Sequence, residues 1–125
     1  MITALPARSE RGVGTVLMVG VMAVIVALSV AGVCIAGYLV AAQRARTAAD
    51  LAALSGATAY AAGQDPCSAA RRNARANGAS VVLCNHVGDA VDFVVTVRAQ
   101  VRVGVRVPGL PTRSTAVAYA GSTSV

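Results

Sequence analysis

The sequence contains no lysine and no tryptophan, one phenylalanine, one histidine and five acidic residues, and each shortage removes a class of function. All eleven basic residues are arginine, so the net charge of +6 comes from arginine alone. The missing lysine, beside abundant Ala, Gly, Val and Arg, is a mark of a GC-rich genome and carries no functional meaning. Aromatic residues make up only 3% of the chain, which leaves almost nothing for nucleobases to stack on. The arginines are scattered, at 8, 11, 44, 46, 71, 72, 75, 98, 102, 106 and 113. No zinc-finger spacing, RNP-like strand or helix-turn-helix pattern accompanies them, so nucleic acid is not an expected partner. The acids Glu10, Asp50, Asp65, Asp89 and Asp92 form no pair suited to acid–base work, and His86 has no evident carboxylate partner. No phosphate-binding glycine loop follows a strand. Two later cysteines and one histidine fall short of the four ligands a zinc site needs. The chain is therefore not expected to be an enzyme, and no catalytic residue, cofactor, metal or small-molecule substrate is expected.

What the chain has in excess is apolar residues, at 56% against 13% charged. Residues 13–42 contain no charge at all. About 20 apolar residues cross a bilayer core, so this run is expected to be a single transmembrane helix with length to spare. A cleaved signal peptide is the rival, because Val40-Ala41-Ala42 before Gln43 resembles a small-residue cleavage site. Its apolar region would be far longer than the usual roughly 7–15 residues. Cys34 follows Val33 where a lipobox requires a small residue, and is read as a small apolar residue within the span. Flanking charges are nearly balanced, with Arg8, Glu10 and Arg11 before the run and Arg44, Arg46 and Asp50 after it. The positive-inside rule is thus almost silent. Cys67 and Cys84 break the tie: a domain this small has little core, and disulfides persist in oxidising compartments. Metal binding and two unpaired thiols are the alternatives; a disulfide closing that loop would contribute about 3 kcal/mol. The expected topology is N-in and C-out in the cytoplasmic membrane, with residues 1–12 cytoplasmic.

Helical pattern continues beyond the run through residues 43–62, without proline and rich in alanine. Alanine recurs every fourth position at Ala41, Ala45, Ala49, Ala53, Ala57 and Ala61, and small residues repeat at Ala23, Ala27, Ala31, Gly32 and Ala36. Such spacing lets backbones approach closely, so Ala23, Ala27, Ala31, Ala45, Ala49, Ala53 and Ala57 are the expected helix-packing interface with partner helices. The plainer alternative is that alanine is simply abundant. Gly63-Gln64-Asp65-Pro66 breaks the helix and starts a second over 66–77, capped by Gly78. Arg71, Arg72 and Arg75 lie on its polar side, as a solvated face or a contact to anionic lipid head groups. After Gly78 the period becomes two. Residues 79–84 are a short strand, 85–89 a turn, and the odd positions from Val91 to Val107 alternate apolar with polar partners, giving one strand or two joined by a bend. A turn at 108–111, a last strand at 113–120 and a loose tail at 121–125 complete the chain. Arg98, Arg102 and Arg106 form a basic stripe suited to an acidic partner or to solubilising the sheet. The expected fold is α+β: the long helix, a short helix and a small antiparallel sheet of about three strands in a disulfide-linked domain at 63–120.

One further pattern joins these parts. Glu10-Arg11-Gly12 before the apolar helix, and Arg44-x-Arg46-Thr47-Ala48-Ala49-Asp50-Leu51-Ala52-Ala53-Leu54 just after it, resemble the TadE/TadG-like proteins of tight-adherence (Flp) pilus systems. The short actinobacterial branch found near secretion ATPase and helicase genes is the most similar, with a cysteine pair and a Val-rich alternating strand after its helix. The resemblance covers most of the chain and implies a pilin-like, pseudopilin-type component of a pilus assembly or secretion apparatus. Its partners would be other membrane proteins or pilins of that apparatus, and membrane lipid. Glu10, Arg11, Gly12, Arg46, Ala49, Asp50 and Leu54 are the motif residues. The chain departs from true Flp pilins where Glu10 precedes the glycine and Leu17 stands fifth after it, so the prepilin-peptidase pattern is not satisfied. A secreted or membrane-released effector, acting through the basic C-terminal domain, is the alternative.

Overall fold

The computed structural model describes residues 7–123, with side chains from residue 12 onward. Five elements follow in order: α1 (Ala7–Ala61), α2 (Pro66–Ala76), β1 (Ser80–Gly88), β2 (Phe93–Arg102) and β3 (Arg113–Ser122). This is the expected α+β arrangement. Helix α1 starts at Ala7, earlier than residue 13, because Arg, Ser and Glu sustain a helix where they could not enter a membrane. Charge marks the edge of the apolar segment, and backbone structure passes through it.

The described residues separate into two units, one ending at Ile35 and the other beginning at Ala36. In the first, every side chain from residue 12 to residue 33 is exposed. This is one helix long and apolar enough to cross a membrane. The hydroxyl of Ser29 donates to the Ile25 carbonyl at 2.8 Å, which satisfies it inside the helix, as an apolar surrounding demands.

The second unit has a core made mostly of alanine and valine. Ala41, Ala45, Ala49, Ala53 and Ala57 of α1 pack with Ala70 and Ala74 of α2 against Phe93, Val95, Val97, Ala99 and Val101. These last five are the odd positions of β2, so the alternation marks an inner and an outer sheet face over 93–102. The strand expected from Val91 to Val107 is shorter at both ends, with Val91 in the turn before it and Val103, Val105 and Val107 in the connection after it. Gly56 sits where α1 comes close to both α2 and β2: a Cβ there would lie 3.1 Å from both the Pro66 carbonyl oxygen and Val95 Cγ1. Glycine is what permits that approach.

Helix α2 begins at Asp65, whose carboxylate accepts from the Ser68 hydroxyl at 2.6 Å and the Ser68 amide at 3.3 Å. It ends with Gly78 at φ +72°, where the Ala79 amide donates to the Ala74 carbonyl at 2.9 Å. That pattern is a glycine-terminated C-cap. The Ser68 hydroxyl, helped by the Ser68 and Cys67 amides and Arg71, holds the Asp65 carboxyl below its ordinary 3.8. The cap's contribution is therefore complete above the unfolded value and lost as pH falls below it through the folded pKa. Asp65→Ala is expected to lower the melting temperature by a few degrees at neutral pH, a difference that thermal scans should show vanishing in strong acid, well below pH 3.8.

The sheet is antiparallel with order β1-β2-β3. Strand β1 runs to Gly88, so Asn85, His86, Val87 and Gly88 are strand residues and not the expected turn. They pair with Thr96, Val95, Val94 and Phe93. The turn lies at 89–92, where the Asp89 carboxylate accepts the amides of Val91 and Asp92 at 2.9 and 2.8 Å. Turn-forming residue types are common at 85–89, but the ladder to β2 outweighs that local preference. A bulge between Val81 and Leu83 restores the inward alternation on β1. Strand β3 also outruns its expected end: Gly121 and Ser122 pair with Val94 and Phe93 instead of starting a tail. Residues 124–125 of that tail, and residues 1–6 of the N-terminal segment, lie outside the described residues.

Beyond Arg102, the Val103 amide donates to the Thr112 carbonyl at 2.8 Å, and the chain turns through 104–111. The Tyr38 hydroxyl donates to the Pro111 carbonyl at 3.1 Å, holding this connection against α1.

Candidate interaction surfaces

The expected disulfide is present: Cys67 of α2 and Cys84 of β1 are bonded, with Cα atoms 5.8 Å apart. Cys34 remains outside it. The bond joins the short helix to an edge strand whose side chains are otherwise largely exposed.

The alanine row divides. Ala45, Ala49, Ala53 and Ala57 were expected to meet partner helices, but they are buried in this chain's own core. The reason is spacing. A row of methyl groups allows close approach to any flat surface, and the inner face of β2 occupies that row here. Ala23, Ala27 and Ala31 stay exposed and are the only part of the expected interface open to another helix among the described residues. The motif residues divide in the same way. Ala49 is core, whereas Arg46, Asp50 and Leu54, spaced by four, lie exposed in a neighbouring row of α1. Gly12 lies within α1 with open space around it. The side chains of Glu10 and Arg11 fall outside the described residues.

The outer face of the sheet carries the basic stripe, but not on a purely polar ground. Arg98 lies between Leu83 and Val117 in register, and Thr96 lies between Asn85 and Tyr119. Leu83, Val87, Val94, Val117 and Tyr119 are all exposed, Tyr119 at 71%. Arg102, at the end of β2, and Arg106, in the connection that follows, are both exposed.

Two features were not found from sequence. One is an aromatic cluster: the Tyr60 ring of α1 lies tilted at 4.5 Å from Phe93 and 5.2 Å from His86, and its hydroxyl donates to the Gly88 carbonyl at 3.4 Å. His86, exposed on β1, lies with its ring tilted against that of Tyr60. The other is a hollow of about 540 Å³ where α1, the end of α2 and one end of the sheet meet. Gln43, Arg44 and Thr47 line it from α1, Asn77 and Gly78 from the α2 terminus, and Ser80, Gln100, Arg102 and Arg113 from the strands. These residues come from four separate stretches of the chain, so no local pattern announces them. Among the described residues, no group of three or more His, Cys, Asp or Glu side chains gathers to hold a metal.

Comparison of the chain with protein-family models, with curated proteins and with solved structures gave no match.

Proposed function

We propose that the chain is a membrane-anchored, pilin-like structural component of a Tad/Flp-type pilus assembly or secretion system, N-in and C-out in the cytoplasmic membrane. The observation that carries this reading is the double use of α1. Residues 12–33 are uncharged and exposed, whereas from Ala41 onward the same helix is the spine of a folded domain. A subunit displayed from a membrane needs both halves. The sequence resemblance to TadE/TadG-like proteins supplies the apparatus, and the Cys67–Cys84 bond supports placing the domain on the oxidising side.

The interface left open is the row Ala23, Ala27 and Ala31, where larger side chains would hold a neighbouring helix away. Converting Ala27 and Ala31 to leucine should reduce photocrosslinking to neighbouring membrane proteins by several-fold and leave the disulfide intact. Undiminished crosslinking would exclude this row as the contact.

The released-effector reading draws on one observation. A cut before Gln43 would keep Ala45, Ala49, Ala53 and Ala57 in the core and lose Ala41 from it. Sequencing the N-terminus of the mature protein separates the two readings, since release exposes Gln43 or a close neighbour.

A further inference from the structure

We infer that the arginine-lined hollow beside α1 binds the phosphate of an anionic phospholipid head group, in the leaflet next to the folded domain. This inference rests on the membrane-anchored reading above.

Its first support is charge. Arg44, Arg102 and Arg113 line the hollow, and a smaller adjoining one of about 310 Å³ is lined by Arg102, Arg106 and Arg113. Among the described residues no carboxylate lines either. Two of the five acids are held elsewhere: Asp65 caps α2 and Asp89 closes the β1–β2 turn.

The second support is register. Arg102 and Arg113 stand directly opposite each other on β2 and β3. Like charges directly opposite across strands repel, and the arrangement is stabilised when an anion is shared between them. Guanidinium groups are suited to that task because their planar N–H forks match phosphate oxygens. Gln43, Thr47, Asn77 and Gln100 add amide and hydroxyl donors around the same space.

Placement is the third support. Arg44 comes two residues after the last residue of the uncharged run, and Gln43 lies between. Tyr38, within that run, is bonded to Pro111 of the connection that carries Arg106 toward Arg113. Tyrosine and arginine near the end of a membrane segment mark the head-group level. A polar, basic hollow at that level faces the commonest anion available there, a lipid phosphate.

The test uses the purified full chain in neutral detergent, titrated separately with phosphatidylglycerol, phosphatidylcholine and sodium phosphate, with bound adducts followed by native mass spectrometry. Phosphatidylglycerol should bind at least about tenfold more tightly than phosphatidylcholine. In the double variant Arg102→Gln, Arg113→Gln that preference should fall about tenfold. The control Arg46→Gln, Arg98→Gln removes equal charge from exposed residues that line neither hollow and should keep the preference. Because the first pair relieves repulsion, its lipid-free melting temperature should be equal to or above that of the parent, and Arg44→Gln gives a second variant on the helix side. Equal binding of the two lipids, equal loss in the control, or full displacement by sodium phosphate would each overturn the head-group assignment. Carbonate extraction of cell membranes reads the anchoring itself. A chain that stays in the membrane but shows no lipid preference rejects only the hollow, whereas one that washes free rejects the anchor.

Discussion

Replacing Cys67 and Cys84 together by alanine should lower the stability of the folded domain by about 3 kcal/mol, and the melting temperature by roughly 10–20 °C. The bond closes a loop of 17 residues, and its loss frees that loop in the unfolded ensemble. The native side has little to compensate. Helix α2 has 11 residues, too few to be stable alone, and its buried positions are Pro66, Ala69, Ala70 and Ala74. Small side chains such as these hold it to the sheet weakly. On the other side, β1 is an edge strand whose pattern is mostly exposed. Breaking the bond should therefore detach α2 first. Thermal unfolding with and without reductant checks this: reductant should shift the parent by the same amount and leave the double variant unmoved. A parent indifferent to reductant would show that packing alone holds α2 in place.

The second large effect concerns the seam between α1 and β2. Ala49 and Ala53 are fully buried, and Gly56, one turn further on, lies close against Val95 and the Pro66 carbonyl. Ala53→Phe has no space to enter, and relief would require α1 to lift from the sheet along its whole row. The expected cost is at the upper end of the overpacking range, about 3 kcal/mol or more, with cooperative unfolding lost or the domain failing to fold. Leu54 is next in sequence but exposed at 59%, and Leu54→Ala should change stability by less than about 0.5 kcal/mol. The same bulky change at Ala23, which lies exposed in the apolar segment, should leave the domain's melting temperature unchanged. Circular dichroism on the three variants separates the seam from the rest of the helix. Equal tolerance at Ala53 and Ala23 would mean that the helix does not hold the sheet as described.

Much of this architecture was readable from residues because its signals are periodic. Uncharged residues 13–42 marked the apolar segment, the odd valines of β2 marked the inner face, and Asp65-Pro66 and Gly78 marked the ends of α2. The cysteine pair was readable from the small size of the domain. What the alanine row packs against was not. A row of methyl groups states a distance and leaves the partner open, and a helix and a sheet satisfy it equally well. The extent of β1 was hidden for a similar reason. Asn85, His86 and Gly88 favour turns locally, and only pairing with Thr96, Val95 and Phe93 makes them strand. The arginine-lined hollow was least accessible of all, since Arg44, Arg102 and Arg113 are distant in the chain and meet only after the sheet has docked on α1.

A core built mostly of alanine also changes the thermal character of the domain. Alanine has no side-chain torsion to freeze, so Ala45, Ala49, Ala53, Ala57, Ala70 and Ala74 enter the interior without the rotameric entropy loss that leucine or methionine would bring. They also remove little apolar surface from water, so the heat-capacity change of unfolding is small for the number of residues ordered. The stability curve of the domain should accordingly be shallow, with weak dependence on temperature on both sides of its maximum. An interior of this kind holds its shape over a broad range of temperature without ever being very stable at any one of them.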